Sequence, residues 1–112
     1  MEQPLVEIGD FMKVDLRIGT IIEAKLFEKA KIPAYKLKVD FGAIGIKKSS
    51  AQITELYQPE DLMGKQVIAV INFPPKQIAD FMSEILILGI KNKKEVVLLG
   101  PHKPAKNGNK AS

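Results

Sequence analysis

The sequence has no cysteine and no tryptophan, and only one histidine and one arginine among its 112 residues. Without cysteine there is no disulfide, no thiolate nucleophile and no sulfur-ligated metal site. His102 lies in a polar tail, which excludes a histidine-based metal site or a Ser-His-Asp triad within one chain. Carboxylate pairs such as Glu60 and Asp61 have no basic group converging on them. The sequence therefore predicts a protein that is not an enzyme, with no catalytic residues, no metal and no cofactor.

Long apolar runs are also missing, since none approaches the roughly 20 residues that span a bilayer. The first ten residues are acidic and lack the basic-then-apolar order of a signal peptide. Composition is that of an ordinary globular protein, with 46% apolar and 27% charged residues. These features predict one domain over residues 1–112, without membrane insertion and located in the cytoplasm.

Positive charge is concentrated in two blocks of the chain. Residues 25–48 carry seven lysines against Glu28 and Asp40, and residues 91–112 carry six lysines against Glu95. Such blocks attract polyanions with a strong dependence on salt. Sixteen of the seventeen basic residues are lysine, which lacks the planar fork that reads bases, so any nucleic acid would be held by its backbone and shape. The alternative is that the lysines serve solubility alone.

Alternating apolar and polar residues predict three strands in the first half of the chain, at 14–26, 35–41 and 44–50. Gly19, in the middle of the first strand, predicts a bulge or bend that lets one strand serve two parts of a small barrel. The second and third strands are expected to pair as a hairpin, with Lys36 and Lys38 beside Lys47 or Lys48.

The second half combines short helical segments with further strands. Residues 51–57 have a helical pattern, a short turn follows at 58–62, and residues 66–73 form an almost continuously apolar strand. Residues 76–83 are predicted as a helical turn. Two more apolar strands follow at 85–90 and 96–99, and residues 101–112 are expected to form a loose tail, with a short final pairing left open.

This order predicts an all-β protein with short helices. A helix between the third and fourth strands fits an OB-fold, a five-stranded Greek-key barrel, with its core at about residues 10–100. The last two strands are apolar on both faces and need a cover. A second copy of the chain is the simplest cover, with N- and C-terminal additions forming the dimer. The alternative is that the N-terminal segment covers them within one chain.

Residues 46–54, I-K-K-S-S-A-Q-I-T, place two lysines before hydroxyl and amide side chains at a strand end. This composition suits a surface that binds a polar or anionic ligand, such as a structured RNA. The candidate RNA contacts are Lys31, Lys36, Lys38, Lys47, Lys48, Ser49, Ser50, Gln52 and Asn72. A second hypothesis is an apolar-walled groove for extended polypeptide, unless Phe73, Phe81 and Met82 are simply core residues. The candidate polypeptide contacts are Phe27, Ile32, Phe73, Pro74, Phe81 and Met82.

Two long blocks resemble one known family. V-D-L-R-I-G-T-I-I-E-A at 14–24 is similar to the opening strand of the tRNA-binding domain family, which includes domains appended to aminoacyl-tRNA synthetases. Y-Q-P-E-D-L-M-G-K-Q-V-I-A-V-I-N-F at 57–73 is similar to a second sequence block of that family. The resemblance covers roughly residues 10–90. It implies an OB-fold, and it adds Ser83 to Asn72 as a polar position associated with tRNA contact.

Three segments resemble one branch of this family, the homodimeric export-related chaperones. They are F-E-K-A-K-I-P-A-Y-K-L at 27–37, K-S-S-A-Q at 48–52 and the run N-F-P-P-K-Q-I-A-D-F-M-S-E-I-L-I-L at 72–88. This resemblance implies a homodimer that binds unfolded or precursor polypeptides, allows for contact with the export machinery, and retains a tRNA-binding surface. The family's loop histidine is Phe27 here, which favours a more apolar ligand.

Overall fold

The computed structural model describes residues 2–112, and within them the chain is mostly β-structure with two short helices. The first half contains α1 (Ile8–Met12), β1 (Leu16–Leu26), β2 (Tyr35–Asp40), a 3₁₀ turn (Gly42–Ile44) and β3 (Ile46–Ala51). The second half contains α2 (Pro59–Leu62), β4 (Gln66–Val70), β5 (Lys76–Ile78), β6 (Phe81–Ser83), β7 (Leu86–Ile87), β8 (Gly89–Asn92), β9 (Glu95–Leu98) and β10 (Lys110–Ala111).

One antiparallel sheet forms the barrel, with the strand order β3-β2-β1-β4-β7. The C-terminal part of β1 pairs with β2, and its N-terminal part pairs with β4, so a single long strand serves both halves of the barrel. The hairpins β5–β6 and β8–β9 are separate two-stranded sheets. The predicted OB-type barrel is confirmed, with α2 between the third and fourth strands of the barrel.

The barrel encloses one apolar core. In β2, Tyr35, Leu37 and Val39 are buried, while the alternate positions are half-buried or exposed, as the period-2 pattern predicts. Leu62 of α2 is fully buried and closes one end. The hydroxyl of Tyr35 donates a 2.7 Å hydrogen bond to the carbonyl oxygen of Tyr57, so the polar atom that this side chain brings into the core is satisfied.

The irregularity of β1 lies at a different residue from the one predicted. The register with β2 shifts between Ile21 and Glu23, which places the bulge at Ile22 rather than at Gly19. Gly19 is instead a point of close packing, because a Cβ there would lie 2.6 Å from Val39 Cγ1 and 2.8 Å from the Phe41 ring. Glycine is therefore required at position 19 because a larger side chain would clash with Val39 and Phe41, and not because the strand bulges there.

Two helical predictions are wrong. Residues 51–57 end β3 and then form turns, so the connecting helix is only the four residues of α2. Residues 76–83 form the β5–β6 hairpin instead of a helical turn, with Lys76 opposite Ser83 and Ile78 opposite Phe81. The two-residue connection contains Ala79 with φ of 53°, a conformation more usual for glycine or asparagine. The chain gives no such turn signal at this point.

The C-terminal tail is held more firmly than expected. Lys110–Ala111 pair with β1, and two backbone hydrogen bonds join Ile18 to residues 108 and 109. Gly108, with φ of +91°, lies so close to the Phe41 carbonyl oxygen that a Cβ would be 2.6 Å away. A composition rich in Lys, Asn and Gly predicts coil. These contacts are made by backbone N–H and C=O groups, which every residue other than proline has, so side-chain composition does not predict them.

The N-terminal segment leaves most of its apolar side chains exposed within its own chain. α1 contains no buried residue. Leu5, Val6 and Ile8 are 97%, 77% and 75% exposed, and Ile90 and Val97 of the β8–β9 hairpin are 55% and 44% exposed. The alternative in which the N-terminal segment shields the last strands within one chain is therefore wrong for residues 2–112.

Candidate ligand-binding site

The β2–β3 pairing gathers four of the predicted polar residues on one side of the sheet. Lys36 lies opposite Ser50, and Lys38 lies opposite Lys48. Directly opposed residues in an antiparallel pair point to the same side, so these four side chains form a lysine-rich patch on the outer side of the barrel. We call this patch the lysine face.

Ser49 and Lys47 lie on the inner side of the same pair. They are opposite the core residues Leu37 and Val39. Ser49 is fully buried, and its hydroxyl lies 3.0 Å from the carbonyl oxygen of Ser50, where it donates a hydrogen bond. The structure therefore separates Ser49 and Lys47 from the lysine face, although all the residues of 46–51 follow one another in a single strand.

Two phenylalanine rings pack against lysines of this face. Phe27, from the β1–β2 loop, and Phe81, from β6, meet edge to face with ring centroids 5.4 Å apart. Lys36 Nζ lies 5.3 Å from the Phe27 centroid and 5.7 Å from the Phe81 centroid. Lys48 Nζ lies 5.4 Å from the Phe81 centroid. All three distances are within the roughly 6 Å range of cation–π attraction.

Glu23 pairs with two neighbouring lysines. Its carboxylate oxygens lie 3.5 Å from Lys38 Nζ and 3.7 Å from Lys25 Nζ. Within residues 2–112, no carboxylate oxygen lies within 4.0 Å of Lys36 Nζ or Lys48 Nζ. The lysine face thus contains cations of two kinds, some within 4.0 Å of a carboxylate and some beside phenylalanine rings.

An ion pair joins the β1–β2 loop to the tip of the β5–β6 hairpin. Lys29 Nζ donates a 2.7 Å hydrogen bond to Asp80 Oδ2. This hydrogen bond holds the pKa of Asp80 below its usual range and raises the pKa of Lys29. Both side chains are largely exposed, so the bond contributes little to stability but sets how these two segments face each other. Lys36 also acts on Asp80 at longer range, since its charge helps to lower the pKa of that carboxyl group.

The open edge of β3 is closed by side chains at the end of β6 and just after it. Glu84 Oε1 accepts a 2.8 Å hydrogen bond from the Lys48 backbone N–H, and its own N–H donates a 2.8 Å bond to the Lys48 carbonyl. Ser83 Oγ accepts a 3.1 Å bond from the Ser50 N–H. Ser83, expected at a tRNA contact, thus has its hydroxyl engaged in barrel closure.

Asn72 also has both of its polar groups engaged within the chain. Its Oδ1 accepts a 2.9 Å hydrogen bond from the Asp15 N–H, and its Nδ2 donates a 2.7 Å bond to the Lys13 carbonyl oxygen. The side chain therefore holds the entry to β1 against the end of β4, away from the lysine face.

Two adjoining clefts lie on either side of β5. The loop cleft, of about 370 Å³, separates β5 from the β1–β2 loop. The barrel-end cleft, of about 480 Å³, extends from residues 73–74 to β9 and is lined mainly by apolar atoms. Four residues line both clefts: Ser50, Gln52, Lys76 and Ile78. The two clefts thus adjoin along these four residues, and Ser50 also belongs to the lysine face. We call the two clefts together the depression.

The predicted polypeptide contacts divide between these clefts. Phe27 and Ile32 line the loop cleft together with Lys31, and Phe73 and Pro74 line the barrel-end cleft. Phe27 itself is only 3% exposed, whereas Ile32 is 57% and Phe73 49% exposed. Ile32 and Phe73 therefore offer a ligand more apolar surface than Phe27 does, and Leu86, 50% exposed, also lines the barrel-end cleft.

The other two predicted contacts line neither cleft. Phe81 packs on Phe27 below the lysines, and Met82 lies opposite Gln77 on the outer side of the β5–β6 hairpin. Lys76 and Ile78, which line both clefts, were missed because this segment was interpreted as helical. No sequence signal marks them, because residues 76–78 are two polar residues and one isoleucine and show no alternation.

A third, larger cleft of about 670 Å³ lies near the C-terminal segment, lined by residues including Lys65, His102 and Lys103. The sequence pointed to no site there. Across the described residues 2–112, no group of three or more histidine, aspartate or glutamate side chains is placed to hold a metal ion. In that same range, no helix is long and apolar enough to cross a membrane.

A lysine-rich face beside two adjoining clefts, on a small antiparallel barrel, defines a binding module of the OB type. The chain belongs to the tRNA-binding domain family, since residues 16–110 match the model described as "Putative tRNA binding domain". The chaperone CsaA from Bacillus anthracis is 50% identical, with a TM-score of 0.93 over 97% of this chain and 100% of that one. The CsaA chaperone protein from Picrophilus torridus is 49% identical, with a TM-score of 0.91 over 96% and 100%. These matches confirm the branch that the three segments indicated.

Curated relatives are longer proteins. A methionine–tRNA ligase of Leptospira interrogans is 38% identical over 94% of this chain, which is 14% of the ligase. A methionine–tRNA ligase of Francisella tularensis is 40% identical over 96% of this chain, which is 16% of the ligase. The chain thus spans about one seventh of the length of these relatives, and the similarity concerns that part of the ligases alone.

Proposed function

We propose that this protein is a non-enzymatic, homodimeric chaperone of the cytoplasm. It holds unfolded or precursor polypeptides there until they are exported, and it retains a tRNA-binding surface. The observation that carries the proposal is the depression, formed by the adjoining loop cleft and barrel-end cleft beside the lysine face. Its neighbours in sequence and fold, two CsaA chaperones, support the same function.

The depression suits an extended apolar segment. Ile32 and Phe73 are each about half exposed, so a bound chain would remove their remaining apolar surface from water at about 25 cal/mol per Å². Gln52 and Ser50 line both clefts and offer polar groups to the backbone of such a segment. A surface on which apolar atoms predominate predicts binding with low sequence selectivity, as a holding chaperone requires.

Dimerisation would strengthen this binding. The exposed apolar residues of the N-terminal segment and of β8–β9 need a cover that their own chain does not provide. A second copy presents the same two surfaces, so each N-terminal segment can lie on the partner's β8–β9 hairpin in a symmetric, closed arrangement. Two depressions that engage one polypeptide would raise its overall affinity without any new contact. The export machinery is a further proposed partner of this dimer.

A tRNA-binding protein that assists translation is the second candidate function. The family match and the cations of the lysine face that lie on rings favour it. Lysines recognise RNA through its phosphates and shape, which suits a chain with a single arginine. The same dimer could serve both ligands, because the lysine face and the depression adjoin but share only Ser50.

Replacing both Ile32 and Phe73 with serine is expected to weaken binding of a reduced, carboxymethylated polypeptide by about tenfold or more, since each change removes apolar contact area worth about 1 kcal/mol. Fluorescence anisotropy with a labelled polypeptide measures this change. Ile46→Ser is the control, because Ile46 is 58% exposed and lines neither cleft. Unchanged affinity of the double variant would exclude the depression as the polypeptide site.

Replacing Lys36, Lys38 and Lys48 with glutamine is expected to weaken tRNA binding and to lower the slope of log affinity against log salt. The slope should fall by about 0.7–0.9 for each phosphate that is no longer neutralised. Filter binding at several salt concentrations gives both quantities. The matched control replaces Lys103, Lys106 and Lys110, which removes the same charge from another surface. Equal decreases in the two triple variants would identify unspecific polyanion binding and contradict the proposed tRNA surface.

A further inference from the structure

The lysines around the lysine face differ in what holds their ammonium groups. Lys25 and Lys38 share the carboxylate of Glu23. Lys36 and Lys48 have no carboxylate within 4.0 Å among residues 2–112, and their Nζ atoms lie on phenylalanine rings instead. Four lysines close together in space are thus divided into two pairs with different electrostatic partners.

The two kinds of partner have different consequences for an anionic ligand. A carboxylate brings a full negative charge, which offsets part of the attraction that the neighbouring lysines exert on a phosphate. An aromatic ring has no net charge and attracts a cation through its quadrupole. A ring therefore fixes the position of an ammonium group without neutralising it, so the full charge of that group can still attract a phosphate. Prior fixation also lowers the side-chain entropy that a lysine loses on binding, which for a free lysine is large.

We infer that Lys36 and Lys48 are the phosphate contacts of the lysine face, that Lys25 and Lys38 are not, and that Phe81 is the positioning residue for both contacts. The ligand is the phosphodiester backbone of RNA, and the inference rests on the proposed tRNA-binding surface. Phe81 is the ring that both ammonium groups contact, at 5.7 Å and 5.4 Å. Phe27 holds that ring from the side, edge to face.

The placement of Phe81 supports a positioning function. Its strand, β6, ends at Ser83, which with the following Glu84 binds the backbone of β3 at Lys48 and Ser50. The ring is therefore anchored to the same strand that bears one of the two lysines. Because the barrel closes through this contact, the strand that bears the ring keeps its position relative to the backbone that bears Lys48.

A pair of matched single variants tests the division between the lysines. Lys48 and Lys38 face each other across the β2–β3 pair, so Lys48→Gln and Lys38→Gln remove the same charge from nearly the same place. We expect Lys48→Gln to weaken tRNA binding severalfold and to lower the salt slope by about 0.7–0.9. Lys38→Gln is expected to change the affinity less than twofold. Equal effects of the two variants on affinity and slope would overturn the inference.

Variants at Phe81 test the positioning function. Phe81→Leu keeps an apolar side chain and every charge but removes the ring, so we expect severalfold weaker tRNA binding with an unchanged salt slope. Phe81→Tyr keeps the ring and is expected to restore the affinity to within about twofold, because tyrosine attracts cations as phenylalanine does. A Phe81→Leu protein that binds like the wild type, or a Phe81→Tyr protein as weak as Phe81→Leu, would overturn the inference.

A spectroscopic measurement on the unaltered protein keeps the test valid if Phe81→Leu does not fold. Protons next to an ammonium group that lies over a ring are shifted upfield in NMR spectra. The Cε protons of Lys36 and Lys48 should show this shift, and those of Lys38 should not. Equal shifts in all three overturn the inference. If, instead, the triple variant of the lysine face binds tRNA normally, the proposed surface itself is wrong, which is a distinguishable result.

Discussion

Replacing Leu5 and Ile8 with glutamate is expected to convert the proposed dimer into monomers and to raise its dissociation constant by about 100-fold or more. Each glutamate would bury a charge in the interface at a cost of more than about 1.4 kcal/mol, and 1.4 kcal/mol corresponds to a factor of ten in affinity. The two side chains are 97% and 75% exposed in the single chain. Sedimentation velocity at a series of protein concentrations measures the monomer–dimer equilibrium.

The control for this experiment is Ile46→Glu, which introduces a negative charge at an apolar position that is 58% exposed but lies on β3, away from α1. It should leave the dimer unchanged. A wild-type protein that stays monomeric at all concentrations would contradict the proposal that a second copy of the chain covers the exposed apolar residues. So would a Leu5→Glu, Ile8→Glu protein that dimerises as tightly as the wild type.

Gly19→Ala is expected to lower the free energy of unfolding by about 1–3 kcal/mol, the usual cost of overpacking a core. The added methyl group would lie 2.6 Å from Val39 Cγ1 and 2.8 Å from two atoms of the Phe41 ring, and both of these residues are fully buried. Neither can move without displacing the rest of the core. Urea unfolding followed by circular dichroism measures the change.

Gly9→Ala is the matched control for this substitution. A Cβ at Gly9 meets no heavy atom within 4 Å, and alanine favours the helical conformation of α1 by up to about 1 kcal/mol. No destabilisation is therefore expected. If Gly19→Ala unfolds at the same urea concentration as Gly9→Ala, the close packing of β1 on β2 is wrong.

The strands of the barrel could be predicted where side-chain alternation is strong. In β2 the alternation of apolar and polar residues gave the buried positions Tyr35, Leu37 and Val39 directly. The β5–β6 hairpin could not be predicted, because Ile78, Phe81 and Met82 have a spacing that also fits a helix. Its turn uses Ala79 in place of the glycine or asparagine that would signal a hairpin.

The candidate site could be located but not resolved from sequence. Lysine density and the family resemblance indicated the region from Lys31 to Gln52. The register of β2 with β3 then decides which of its residues face outward, and it removes Ser49 and Lys47 from the lysine face. A shift of one residue would have reversed this result, since alternate residues of a strand point to opposite sides.

The sequence by itself determined the class of barrel, the family and the charge of the binding region, because period-2 patterns, family-type sequence blocks and lysine counts are local properties. The tertiary structure alone decided which lysines lie beside a carboxylate and which lie beside a ring. Glu23, Phe27 and Phe81 reach the lysine face from β1, the β1–β2 loop and β6, so their pairing depends on strand register and barrel closure. Contacts between residues distant in the chain are set by the fold, and no local pattern contains them.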